Sequence, residues 1–413
     1  MKLYKKSIIL IFLLSLSSCS YYDELYDQLF DVTKKEVVPK VTSSKSVNIE
    51  KLWSTSIGDG RLSNSTILQP YFDGFKTIYS VDYKGLVTAI DIQSGDKLWS
   101  TRTNYNNNIT SGISYHDNIV YFGTLDAKLY GYDIDYLKDN ESYFESIDVT
   151  SILTKDILQP TKVLQLDSEI VSPAIHSDDQ IFLRTSNGYV YAYNLNSQIL
   201  NWQYIGRNIP LSIKGSGRPV LDFNNIYVAK DDGTIISLNQ STGKLNWLAY
   251  ISPRSGRNEL ESLRDVEMTP LLLDDMIYVG SFQGSVVAVN TNTGNTMWTL
   301  PLSSLSNIIN DNNELFITTS DGDLYSIDIY NGNTIWKTSL SQKKKLSHPI
   351  SYDNLIIVFN ENGFAYFVDK NDGSIINYKK MTDQIDHQID IIKKDNTIYV
   401  PSKNGRISAF VIN

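Results

Sequence analysis

The residue types that carry most enzyme chemistry are few in this chain and poorly spaced for it. Four histidines stand at His116, His176, His348 and His387, and no pair has the spacing of metal ligands on one element. Aspartates such as Asp231, Asp232 and Asp321 fall beside glycines, where a tight turn favours Asp. The densest basic cluster, Lys343–Lys345, also reads as a turn, and the formal net charge of −9 argues against a nucleic-acid partner. General base, metal ligands and cofactor cradle do not come together, so no catalytic, cofactor or metal site is expected.

One residue is placed for a different chemistry. Cys19 is the single cysteine; it follows a basic start (Lys2, Lys5, Lys6), an apolar run Ile8–Leu16 and the small residues of Leu16-Ser17-Ser18. The apolar run is too short for a permanent membrane span. The pattern resembles the bacterial lipobox, which implies cleavage before Cys19, diacylglyceryl attachment to its thiol and acylation of the new amine. Several acyl chains, at about 0.8 kcal/mol per buried CH₂, give lasting attachment where one would be marginal. Ser20 in place of Asp favours the outer membrane under the sorting rule of enteric bacteria. The expected organisation is a signal peptide over residues 1–18, a lipidated tether over 19–48 and one domain over 49–413. Tyr22–Phe30 reads as a short amphipathic helix within the tether, which lets the domain stand off the membrane.

The elements of that domain follow from a repeat. Its clearest copy is Ile277–Trp298: an apolar β-branched run, a Gly turn, an alternating run, a Thr-Gly turn, then a strand with Trp. Turn positions recur at Gly85, Ala127, Gly188, Gly233, Gly284, Gly322, Gly363 and Gly405, with intervals of 42, 61, 45, 51, 38, 41 and 42. That period is one four-stranded propeller blade, and the long intervals carry inserted loops. Val286, Ala288 and Asn290 face one way and Ser285, Val287 and Val289 the other, so this strand is covered on both faces. In the fifth blade, strands A to D are expected at Met268–Leu273, Met276–Ser281, Ser285–Asn290 and Asn295–Leu300. All six Trp (53, 99, 202, 247, 298 and 336) fall on D-type strands, where they read as packing anchors between blades. The last unit lacks a D strand and Lys51–Trp53 is a spare one, so the N- and C-terminal strands should pair and close the ring. The expected fold is all-β, an eight-bladed β-propeller.

The repeats resemble those of pyrroloquinoline-quinone (PQQ) dehydrogenases. That resemblance implies a quinone in the central funnel with a calcium or lanthanide ion, a catalytic Asp and, in many members, an adjacent-Cys disulfide. This chain is much shorter and has no such Cys pair. An exported lipoprotein made of one such propeller resembles instead the BamB family, lipoproteins of the machine that folds β-barrels into the outer membrane (the BAM complex). The resemblance spans Ile49 to Asn413 and has two loop motifs. Pro210–Gly215 (Pro-Leu-Ser-Ile-Lys-Gly) is similar to the family's Leu-Ser-Leu-Arg-Gly. Leu260–Pro270 is similar to its Arg-Leu-Ser-Asp-Val-Asp-x-Thr-Pro.

In the family these loops contact the barrel subunit BamA, which implies partner roles for Leu211, Ile213, Lys214, Asp265 and Glu267. Ile213, Lys214 and Glu267 replace Leu, Arg and Asp of the family pattern, and Lys cannot supply the bidentate fork of Arg. Both loops are D-to-A connections of successive blades and should reach one face side by side. The insertion Asp135–Pro160 is a C-to-D connection and should reach the other. The reading is a non-catalytic scaffold on the periplasmic face of the outer membrane, with unfolded barrel precursors as a further partner through exposed blade edges. The alternatives are a PQQ-dependent enzyme and a periplasmic propeller serving another partner.

Overall fold

Eight four-stranded antiparallel sheets make up the computed structural model. It describes residues 40–41, 47–60, 67–103, 109–140, 158–206, 217–252, 266, 268–341 and 345–412. In seven sheets the strands follow in chain order, A to D. The eighth is assembled from both ends of the chain. Its A, B and C strands are Ile392–Lys394, Thr397–Ser402 and Arg406–Ile412, and its outer strand is the N-terminal Ile49–Ser56. Trp53 stands opposite Ala409 and Ser56 opposite Arg406. The ring is therefore closed by an intramolecular ladder, which leaves no free edge at the seam.

The A strands form the hub. The segments that lead into blades 1 and 2 meet directly, through a parallel bridge between Ile67 and Ser111. The B and C strands are buried on both faces: in blade 5, Ile277–Gly280 and Val286–Val289 are all buried. The core lies between blades, as in the cluster that joins Tyr227 and Ile235 of blade 4 to Val279 and Val287 of blade 5 and Leu315 of blade 6. Strand A of blade 5 is shorter than the sequence suggests, Leu271–Leu273, because Met268 to Pro270 are still entering the hub.

The tryptophans act as rim anchors. The indole N–H of Trp247 donates to the Thr291 carbonyl of the next blade (2.6 Å), Trp298 to Ile329 (3.0 Å) and Trp336 to Lys370 (2.8 Å). Trp202 reaches Gln240 (2.8 Å) and Trp53 reaches Gln93 across the closing seam (3.1 Å). Each ring lies on the glycine of that neighbour's C–D turn. A Cβ at Gly332 would stand 2.7 Å from the Trp298 ring, and its φ of +73° already favours glycine. The exceptions follow the same logic. Blade 2 has Lys162 at the Trp position, and its ammonium donates to the equivalent carbonyl, Leu195. Blade 7 has Asn377 there; it faces blade 8, whose C and D strands have no turn between them.

Two local features depart from the sequence reading. Gly284 does not take the positive φ of the B–C turn; Gln283 does, at 51°. The insertion after strand C of blade 2 opens with a short helix, Ile134–Asp139, capped by the Asp133 carboxylate, which accepts from the Asp135 and Tyr136 N–H groups. Ile134 and Leu137 pack in one cluster with Trp99, so the helix fills the place of the turn that other tryptophans meet.

Candidate functional site

The first implied partner loop lies between strand D of blade 3 (Leu200–Tyr204) and strand A of blade 4 (Val220–Leu221). The second lies between strand D of blade 4 (Leu245–Tyr250) and strand A of blade 5 (Leu271–Leu273). Both are thus D-to-A connections of successive blades. Leu211, Ile213, Lys214, Asp265 and Glu267 themselves lie outside the described residues, as does Cys19. The structure describes the ends of these connections and what holds them.

The first connection is gripped at both ends. A Cβ on Gly206 would stand 2.3 Å from the Gly188 carbonyl, so the entry lies directly on the B–C turn of its own blade. At the exit, Arg184 donates to the Gly217 carbonyl (3.3 Å) and pairs with Asp231 of blade 4. Arg184 and Asp231 are only 2% and 8% exposed, and burial of two charges is tolerable here because each meets the other. The second connection leaves blade 4 with the Ile251 N–H bonded to the Gly233 carbonyl (2.8 Å). It returns through Val266 and Met268, both fully buried, and the Met268 sulfur accepts from the Gly280 N–H (3.0 Å).

Where the inner strands begin, the hub is polar. Two residues ahead of strand A, six of the eight blades place Gln69, Arg218, Thr269, Asn307, His348 and Asp390; blades 2 and 3 place Gly112 and Pro173. Asp390 is the centre. One carboxylate oxygen accepts from the Arg218 guanidinium (2.9 Å) and the other from the Asn307 amide (2.8 Å). The Asp390 N–H donates to the Gln69 side-chain carbonyl (2.7 Å), and the Gln69 amide donates to the Gln388 carbonyl (2.7 Å). The Arg218 N–H donates to the Thr269 hydroxyl (3.1 Å), and the Thr269 N–H to the Asn307 side-chain carbonyl (2.8 Å). Burial holds the His348 imidazole below its usual range, against the pull of the Asp390 carboxylate. Sequence reasoning missed this ring. The available signal was a polar residue ahead of proline at the start of an inner strand, as in Gln69-Pro70, Arg218-Pro219, Thr269-Pro270 and His348-Pro349.

Two histidines do meet. His116 and His176, on the A strands of blades 2 and 3, stack in parallel at 4.9 Å. Their in-plane lone pairs cannot converge on one ion, and burial with the nearby His116 pushes His176 down to about 3. Among the described residues no group of three or more His, Cys, Asp or Glu side chains is placed to hold a metal. A cavity of about 30 Å³ at the seam of blades 8 and 1, lined by Ile57, Ile67, Val81 and Pro401, has room for a water and not for a quinone.

Comparison with known proteins agrees with this architecture. Residues 163–338 match the family described as outer membrane protein assembly factor BamB. The chain is 23% identical over 404 residues to the BamB of Yersinia pestis, covering 96% of this chain and 95% of that protein. The crystal structure of BamB from Moraxella catarrhalis superposes with a TM-score of 0.71 at 22% identity, over 88% of this chain and all of that one. A europium-containing methanol dehydrogenase shares the fold, at a TM-score of 0.65 and 12% identity over 88% of this chain and 93% of that one. Over nearly its whole length the chain is similar in sequence to the outer membrane protein assembly factor BamB, and the BamB crystal structure shares its fold.

Proposed function

We propose that the protein is a non-catalytic scaffold subunit of the outer-membrane β-barrel assembly machinery. It binds the periplasmic part of BamA and positions it for incoming barrel precursors. The observation that carries this reading is the end-to-end similarity to BamB proteins, which covers 96% of this chain and 95% of its Yersinia pestis relative. The contact surface is the face on which the two D-to-A connections emerge. Leu211 and Ile213 supply apolar anchors, and Lys214, Asp265 and Glu267 supply charge. Acylation of Cys19 holds the propeller at the periplasmic face of the outer membrane. This raises the effective concentration near BamA, so a modest contact suffices.

The test is co-purification. Detergent-solubilised membranes are passed over the tagged full-length protein, and the major barrel protein that follows it is identified. A BamA-type barrel in stoichiometric yield is expected; its absence from the captured material overturns the reading.

A further inference from the structure

The polar bonds at the hub are not spread evenly. Strand A is only two residues long in blades 1 and 4, Tyr71–Phe72 and Val220–Leu221, so their ladders do little to hold the segments that enter them. Their entering residues, Gln69 and Arg218, both reach to blade 8, as does Asn307 of blade 6. Blade 1 is the neighbour of blade 8. Blade 4 is four positions away in a ring of eight, diametrically opposite, so the Arg218–Asp390 bond crosses the central channel. It joins residues 172 apart in sequence.

The bonds then close on themselves: Arg218 to Thr269, Thr269 to Asn307, Asn307 to Asp390, Asp390 to Arg218. Arg218 and Thr269 are the residues at which the two connections re-enter the hub. Hydrogen bonds in such a circuit support one another, and loss of one member leaves its partners unpaired.

We infer that the Arg218–Asp390 pair is a cross-channel tie that fixes the exits of these two connections relative to each other. Arg218 is then a positioning residue: it presets the surface without belonging to it. This rests on the reading of that face as the BamA-binding one. Fixing the exits beforehand lowers the ordering cost of association. Neither charge is fully desolvated, with side-chain exposures of 34% and 25%, so the pair can be altered without leaving a charge stranded in the core.

The test uses the full-length protein in detergent, with Arg218→Gln, Asp390→Asn and the charge swap Arg218→Asp with Asp390→Arg. Amide hydrogen exchange is read at the segments holding Arg218 and Thr269, and association rates are measured with the periplasmic part of BamA. Each single variant should speed exchange at both exits, on the order of tenfold, and slow association. The swap should return both toward wild type, which a merely structural role for either residue would not produce. Exchange at Thr269 unchanged in Arg218→Gln contradicts the tie, and so does a swap no better than the single variants. Fast exchange in every blade contradicts it as well, since the pair would then hold the ring rather than the exits. If wild-type protein does not bind BamA, the functional reading falls, while the exchange measurements still decide the tie.

Discussion

The rim and the hub of this propeller are held by opposite strategies. At the rim, one contact is repeated: an indole N–H or, in blade 2, the Lys162 ammonium donates to the carbonyl just past strand C of the next blade. Each such contact is local and between neighbours. At the hub, six of the eight blades each contribute a different polar residue, and one of the bonds spans the ring. Stability is shared among interchangeable rim contacts, whereas the hub sets the positions of particular connections. Variants of the two regions should therefore separate stability from binding.

The largest effect is expected from removal of the closing strand. Deletion of 49–57 strips the outer strand of blade 8 and takes Trp53 from the seam. Because every blade leans on its neighbour, the loss should approach the whole stability of the domain, about 5 kcal/mol or more, in a single transition. Thermal unfolding checks it; an unchanged midpoint would mean that the ladder at the seam is dispensable. A single rim contact should cost less. Gly332→Ala places a methyl 2.7 Å from the Trp298 ring at a φ of +73°, and we expect a loss of about 2–3 kcal/mol in denaturant unfolding. BamA binding should survive under conditions where the variant is folded.

Acid should act between rim and hub. His176 is stacked on His116, packs against Tyr121 and bonds the Ser114 hydroxyl (3.3 Å), while Asp117 lies beside His116. Its pKa is lowered in the folded state, to about 3, so the unfolded chain takes up the proton first as pH falls. The corresponding stability is complete above the unfolded value of about 6.5 and is lost below it, by at most about 2 kcal/mol at pH 5. His176→Gln should flatten that slope in unfolding curves measured from pH 7.5 to 5. The smallest stability change should come from the hub: Arg218→Gln removes a partly exposed ion pair, about 1 kcal/mol or less, although its effect on association should be larger.

The same contrast explains what was legible in the sequence. The rim was readable because it repeats: six Trp at one register position announce the D strands, and the spare Lys51–Trp53 strand announces the closure. Lys162 was not readable as a Trp substitute, since its role appears only once the Leu195 carbonyl is beside it. The hub was illegible for a physical reason. Its residues differ from blade to blade, so no period reveals them, and Arg218 meets Asp390 only because the ring brings opposite blades to one axis. The D-to-A topology of the two connections could be read from blade register, while their exits depend on Arg184, Asp231 and Asp390, which no local motif marks.

The central claim is that one face of this propeller, and not the other, binds the assembly machinery. The direct measurement is the amount of BamA recovered with the tagged protein when Leu211→Ala and Asp265→Ala are combined. The control is Asp135→Ala with Tyr136→Ala, in the insertion on the opposite face. The account predicts that recovery falls by about tenfold or more for the first pair, with the thermal midpoint unchanged, and stays at the wild-type level for the second. Wild-type recovery by the Leu211–Asp265 variant, or its loss in the insertion variant, would contradict it.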